Sequence, residues 1–346
     1  MPGMDLGIDL GTSQTLIYTA GRGIVLREPS VIAVDSDKGH IVACGKEAYE
    51  MLGRAPDTIT VIRPLSKGVI SDYDYAEQML RYFVRKVCRY KVFKPRTAVS
   101  LPASVTEVEQ RSVVEAVTAS GARKVVLIEE AVAAAIGAGL DIGEPKGSMV
   151  VDLGAGTVDI AVMSLKGMAA SLSVRVGGND MDEAIVRHMR NQHNVVVGLL
   201  TAEQVKKTVG CATEAGDAAV MEVRGRNAAT GLPCVRQVTG SEIREAIAEQ
   251  LMEILTAVQR VLETTPPELV GDVLQQGIVL TGGVAQMKGM AEYLERSTGV
   301  DCRVAEEPED CVARGTGQAL QYVGVLSTGV YDIGQFSYRL TDSMGS

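Results

Sequence analysis

Apolar runs too short for helices open the chain. Residues 4–10 read as a strand and 14–20 as its antiparallel return, with further strands at 24–26, 31–34 and 41–44 across glycine- and aspartate-rich turns. Helical spacing first appears at 73–89, where Ala76, Met79, Leu80, Phe83, Val84 and Val87 recur three and four apart. Strands are predicted at 97–101 and 124–128, and Thr106 with Glu109 is a capping-box pattern for the helix between them. Residues 131–139 form a helix of small residues able to pack very closely. A hairpin follows at 149–162, then a strand at 170–176, a helix from 181 to about 194 and another starting at Thr201, the candidate cap. After a hairpin over 219–224 and 233–238, residues 241–265 make the longest helix, with Ile243, Ile247, Leu251, Ile254, Val258 and Val261 as one stripe and Pro266-Pro267 as its stop. A strand at 277–280 breaks at Thr281-Gly282-Gly283-Val284-Ala285; a short strand at 302–304 and a helix at 310–323 complete the body, with a loosely ordered tail after Ser327.

One pattern occurs twice. Residues 6–18 and 149–162 both run apolar strand, Asp-Leu-Gly, small polar turn, apolar strand. Small residues in such turns let backbone N–H groups approach an anion, and Asp9 or Asp152 at the strand end is placed to hold a cation. The break at 281–285 is a third turn of this kind, at a strand-to-helix junction suited to phosphate or base. Glu129-Glu130 has two readings: carboxylates favoured at a helix N-terminus by the macrodipole, or a group that polarises a water. No G-x-G-x-x-G follows the first strand, which counts against a dinucleotide fold.

With 346 residues, two lobes are expected. A net charge of −9 argues against general binding to nucleic-acid backbones. The six cysteines show no C-x-x-C spacing and no signal peptide precedes the first strand, so reduced thiols in a cytoplasmic protein are expected. His40, His188 and His193 stand too far apart in context to suggest a metal cluster. No apolar run is long enough to span a membrane. The 90–96 loop sets Val92 and Phe93 among Lys91, Lys94 and Arg96, which fits either packing on its own domain or an interfacial membrane anchor.

Together the paired Asp-Leu-Gly hairpins, the strand–Glu-Glu–helix element and the third Gly-Gly turn resemble the actin superfamily, and most closely its bacterial MreB and Mbl-type branch. Gly68-Val69-Ile70-Ser71-Asp72-Tyr73, Gly177-Gly178-Asn179-Asp180-Met181-Asp182 and Thr264-Thr265-Pro266-Pro267-Glu268 carry much of that likeness. It implies an α/β, actin-like two-lobed fold with duplicated mixed-sheet domains around a nucleotide cleft. Residues 1–145 plus about 320–346 would form lobe I, with a subdomain at about 33–70; 146–319 would form lobe II, with a subdomain at about 180–240.

The resemblance further implies Thr12, Ser13 and Gln14 at one phosphate turn and Gly154, Ala155, Gly156 and Thr157 at the other. Glu203, Gln204, Val205 and Lys206 would flank the adenosine opposite Gly282, Gly283, Val284 and Ala285. Asp9 and Asp152 would bind Mg²⁺ through water. Glu130 would orient the attacking water, assisted by Thr157. The implied protein binds ATP (or GTP), hydrolyses it slowly and stacks with itself into paired protofilaments. It would lie on the cytoplasmic face of the inner membrane through Val92 and Phe93, alongside cell-wall elongation proteins, with no nucleic acid. A non-polymerising actin-fold ATPase, or a module that holds ATP without turnover, is the alternative. The chain departs from the usual family pattern at Gln14, Ala131, Ala155, Val158-Asp159, Thr208 and Val284, which bears on turnover and affinity more than on fold.

Overall fold

Each Asp-Leu-Gly hairpin folds into a sheet of its own. In the computed structural model, described over residues 5–88, 94–321, 323 and 328–332, Asp5–Leu10 pairs antiparallel with Gln14–Thr19 and parallel with Arg96–Leu101. Ser148–Leu153 likewise pairs antiparallel with Val158–Ser164 and parallel with Ile278–Thr281. The first sheet has six strands, ordered Val330–Asp332, Lys124–Glu129, Arg96–Leu101, Asp5–Leu10, Gln14–Thr19, Gly23–Pro29; the second has five, ordered Gly167–Val174, Val158–Ser164, Ser148–Leu153, Ile278–Thr281, Cys302–Val304. Every residue of Ser148–Leu153 is buried, because a central strand covered on both faces carries a continuous apolar run rather than an alternating one. Smaller sheets flank them: Ile41–Cys44, Ile32–Asp35 and Ile59–Ile62 on one side, Val195–Val196, Val220–Asn227 and Pro233–Thr239 on the other.

Helices cover these sheets by the faces their periodicity predicts. Tyr73–Val87 buries Ala76, Met79, Leu80, Phe83 and Val84, and Asp72 caps it by accepting from Tyr75 N at 3.2 Å. The capping box at Thr106 and Glu109 forms as expected. Between the two large sheets, Glu130–Gly137 crosses Cys311–Ala319. The first of these helices leaves the six-stranded sheet yet packs on Ser148–Leu153 and Val158–Ser164; the second leaves the five-stranded sheet yet packs on Asp5–Leu10. Backbone meets backbone there: a Cβ on Gly315 would lie 1.8 Å from the Ala133 carbonyl oxygen, and one on Gly137 1.8 Å from that of Cys311.

Several elements differ from expectation. The helix expected over 241–265 is two, Gly240–Ala246 and Ala248–Thr264, joined at Ile247 with φ −102° and ψ 8°. Ile243, Ile247, Leu251, Ile254, Val258 and Val261 stay buried throughout, so the apolar stripe runs through a break that neither Gly nor Pro marks. Gly198, not Thr201, precedes Leu199–Val209. The final helix ends at Ala319. Within the expected tail, Val330–Asp332 pairs antiparallel with Lys124–Glu129, and Tyr331 donates to Glu129 Oε1 at 2.8 Å; three residues are too few to show a strand period. Lys91, Val92 and Phe93 lie outside the described residues. Arg96 belongs to a strand and pairs with Asp5 through two hydrogen bonds, at 3.2 and 2.6 Å, so it is not the free cation that the lipid reading assigned. No helix among the described residues is long and apolar enough to cross a membrane.

The helix crossing sets a stability test. Gly315→Ala should destabilise the protein by about 3 kcal/mol, the upper end for overpacking because rigid backbone must move. Gly271→Ala, in an exposed helix with nothing within 4 Å of its Cβ position, should stabilise it by ~0.5–1 kcal/mol. Urea unfolding of the two variants reads the difference; equal midpoints would mean that the crossing is slack.

Candidate functional site

The turns of the two hairpins face each other across a cavity of about 530 Å³, within the range of small-molecule sites. Their approach is close: a Cβ on Gly156 would sit 2.4 Å from Thr12 Oγ1. Thr12 Oγ1 accepts from Gly68 N at 2.9 Å, and Ser13 donates to Asn179 Oδ1 at 3.1 Å. The second turn closes on itself through Gly154 N to Thr157 O, and it carries a helix start on its outer side, with Gly178 N and Asn179 N donating to the carbonyls of Gly154 and Ala155 at 3.1 and 2.8 Å. Gly177 is needed there, since a Cβ would meet the Ala155 carbonyl at 2.6 Å.

Acids line the floor. Asp9 and Asp152 end their strands as expected and meet neutral partners: Ser100 donates to Asp9 Oδ1 at 3.3 Å and Thr281 to Asp152 Oδ1 at 2.6 Å. Burial pushes both carboxyls up to about 7, with the charge of Asp310 adding to it at Asp9 and the charges of Asp159 and Asp9 adding to it at Asp152. Thr157 donates to Glu130 Oε2 at 3.4 Å. Asp159 stands opposite Asp152 in the hairpin register and accepts from Ala103 N at 3.2 Å. Burial and then Asp159 hold Glu130 well above the usual carboxylate range, and burial raises Asp159 as well. Two buried acids so close resist ionising together. Carboxylates gathered this closely, with hydroxyls rather than cations on them, fit a divalent cation and its waters.

The other end of the cavity rests on Leu199–Val209. Lys206 pairs with Asp182 at 2.8 Å and donates to the Gly178 carbonyl at 2.6 Å. Burial raises the Asp182 carboxyl to about 6 against the pull of Lys206. Glu203 pairs with Lys207 rather than Lys206, at 2.6 Å, and accepts from Tyr49 at 2.8 Å. With Lys67 to Asp180 at 3.3 Å, the Tyr49 bond joins the two sides above the cavity. Opposite, Gly282 holds φ 82°, and its Cβ position lies 2.4 Å from the Leu153 carbonyl oxygen; no other residue fits.

Asp9, Thr12, Ser13, Gln14, Glu130, Asp152, Gly154, Ala155, Gly156, Thr157, Glu203, Lys206, Gly282, Gly283 and Val284 all line this one cavity. Gln204, Val205 and Ala285 do not: Val205 and Ala285 are core residues, and Gln204 faces solvent one step round the helix. Thr208 takes the next inward position. Asn179 lines the cavity too, and so do Arg27, Asp182 and Glu309, which were not foreseen. Arg27 bonds Asp310 and lies 3.5 Å from Glu309, a contact between distant segments that no local pattern announces.

A family model described as MreB/Mbl protein matches residues 3–328. The cell shape-determining protein MreB of Escherichia coli K12 is 46% identical over 325 residues, covering 92% of this chain and 94% of that one. The cell shape-determining protein Mbl of Bacillus subtilis 168 is 42% identical over 323 residues, covering 93% and 97%. Among solved structures, MreB5 of Spiroplasma citri bound to AMPPNP superposes with a TM-score of 0.89 at 32% identity, covering 94% of this chain and 98% of that one. The MamK double helical filament shares the fold, with a TM-score of 0.79 at 21% identity over 92% and 98%.

The raised carboxyls predict a pH dependence. Folded Asp9 and Asp152 hold protons that the unfolded chain releases near pH 3.8, so their contribution is fullest in acid and is lost as pH rises through about 7. In EDTA, the nucleotide-free wild type should lose about 2 °C or more of thermal midpoint between pH 6 and pH 8 relative to Asp152→Asn. Mg²⁺ should restore most of it. Parallel pH profiles for the two proteins would contradict the assignment.

Proposed function

The chain belongs to the MreB/Mbl family of cell shape-determining actin-like proteins, and on that premise we propose that it is an ATP-binding cytoskeletal protein that forms membrane-associated filaments and organises cell-wall synthesis. The observation that carries the reading is the pair of facing turns with buried acids beneath them, a cradle for a polyphosphate and its cation. That the Spiroplasma citri relative is bound to AMPPNP in one structure and ADP in another supports the ligand class. The proposed lobes are 1–145 with about 320–346, and 146–319; Val330–Asp332 in the first sheet supports the return of the chain to lobe I.

In this reading the turns at 12–14 and 154–157 grip phosphates from either side, and Glu203 and Lys206 face Gly282, Gly283 and Val284 around the base. Asp9 and Asp152 hold Mg²⁺, which supplies charge neutralisation at the phosphates. A cation held by Asp9 and Asp152 would favour the ionised forms of the neighbouring acids, Glu130 among them. Glu130 then accepts a hydrogen bond from the attacking water, and Thr157 holds the Glu130 carboxylate in place. Catalysis of this kind is positioning and electrostatics. Tyr49–Glu203 and Lys67–Asp180 tie the cleft shut from above. Head-to-tail stacking is a heterologous contact that leaves both ends open to growth.

Purified protein with ATP should pellet as polymer and decorate vesicles of anionic lipid, and changing Val92 and Phe93 to Ser should abolish vesicle binding while polymer remains. Failure to pellet across nucleotides, salts and lipids would replace the filament reading by the non-polymerising one. Glu130→Ala should keep ATP affinity within about threefold and slow phosphate release ~100-fold or more; unchanged release would remove Glu130 from its role.

A further inference from the structure

Away from the cavity, the structure brings together two of the three histidines. We propose that His188, His193 and Glu242 form a binding site for a borderline divalent metal of the Zn²⁺ type, linking the end of the Gly178–His193 helix to the start of Gly240–Ala246. The expectation from sequence that the histidines stand too far apart is corrected for His188 and His193, whose rings lie close together.

One ligand atom from each of the three residues lies within 4.8 Å of the other two. The imidazoles stand 5.9 Å apart between centroids, and His193 Nε2 is 3.2 Å from Glu242 Oε1. Both Nε2 atoms are buried without a hydrogen-bond partner, a costly state for polar atoms. Glu242 is already oriented from behind: its Oε2 accepts from Thr239 N at 2.7 Å and Thr239 Oγ1 at 3.1 Å, which leaves Oε1 for a ligand, as outer hydrogen bonds do at metal sites. Tetrahedral ligands ~2.1 Å from Zn²⁺ stand about 3.4 Å apart, so the His193–Glu242 edge is already at the required length, and a small turn of the His188 ring closes the set. Two imidazoles and a carboxylate suit Zn²⁺ far better than Mg²⁺ or Ca²⁺. The helix C-terminus adds a negative potential. Glu242, partly exposed, gives access from solvent.

A spacing of five residues hid the pair, since it puts two side chains about 140° apart round an ideal helix. His193 is the last helical residue, before Asn194 at φ 54°, where the backbone turns back. The site lies roughly 20 Å along that helix from Gly178 at the cavity wall, so it is separate from the acids assigned to Mg²⁺.

Tag-free, EDTA-stripped full-length protein, titrated with Zn²⁺ in excess Mg²⁺ and a thiol-free reductant, should bind one equivalent with a dissociation constant of about a micromolar or tighter. Co²⁺ in its place should show a d–d band without thiolate charge transfer. His188→Gln, His193→Gln and Glu242→Gln should each weaken binding at least about tenfold; Gln at 242 keeps the capping hydrogen bond, and an unchanged metal-free thermal midpoint shows that the fold is intact. Unchanged affinity in the double histidine variant, a thiolate band, or no stoichiometric binding would overturn the proposal and leave His193–Glu242 as an ion pair only.

Discussion

Everything in the cleft depends on the crossing of Glu130–Gly137 with Cys311–Ala319, where two backbones touch at Gly137 and Gly315. Each helix is tethered by its own strand to one large sheet and packed on the other, so the separation of the sheets is set by main chain alone. Small-residue contacts of this kind leave no flexible side chain to absorb error, because packed interiors resist change of even one methylene. Further along the same contact, Gly317 and Gly7 lie so close that a Cβ on Gly7 would fall 2.3 Å from Gly317 N. The hairpin that carries Asp9 is therefore seated directly on the crossing, and the hairpin that carries Asp152 is seated through Glu130–Gly137. The close approach of Gly156 to Thr12 follows from that geometry.

What the crossing brings together is electrostatically unfavourable. Asp9, Asp152, Asp159 and Glu130 converge with hydroxyls and a backbone N–H as partners, and burial raises all four. A fold that holds such a set trades stability for a strong, localised affinity for positive charge. Bonds across the opening at Tyr49–Glu203 and Lys67–Asp180, and at Arg27–Asp310 lower down, draw the sides together without touching the acids. Closure and charge compensation are thus handled by different residues.

Much of this was legible in sequence because it is local. The two Asp-Leu-Gly repeats, the third turn and the small-residue helix each state their geometry within about ten residues, and fifteen of the eighteen residues that the resemblance implied line one cavity. Gln204, Val205 and Ala285 failed for a simple reason: a helix or 3-10 turn points only some of a contiguous run inward. Arg27, Asp182 and the His188–His193 pair were missed because their meaning lies in contacts between segments, or in a helix end that the 3.6-residue period does not describe. The strand at Val330–Asp332 was too short to show alternation, and the break at Ile247 leaves the apolar stripe uninterrupted.

Of the positions at which the resemblance marks a departure, Ala155 and Val284 line this cavity and Asp159 stands opposite Asp152 beside it. Ala155 offers its carbonyl to Asn179 N and lines the cavity, so its methyl alters the wall facing the phosphate turn without disturbing the helix start behind it. Val284 comes within 3.1 Å of where a Gly178 Cβ would be, beside Lys206 Nζ at 3.0 Å, which narrows the cavity where Asp182 fixes Lys206. Asp159 accepts from Ala103 N through Oδ1 and keeps Oδ2 buried without a hydrogen-bond partner, facing the raised carboxyl of Glu130. All three side chains leave the backbone frame in place, and in the proposed function their consequence falls on how tightly the nucleotide is held and how readily Glu130 acts.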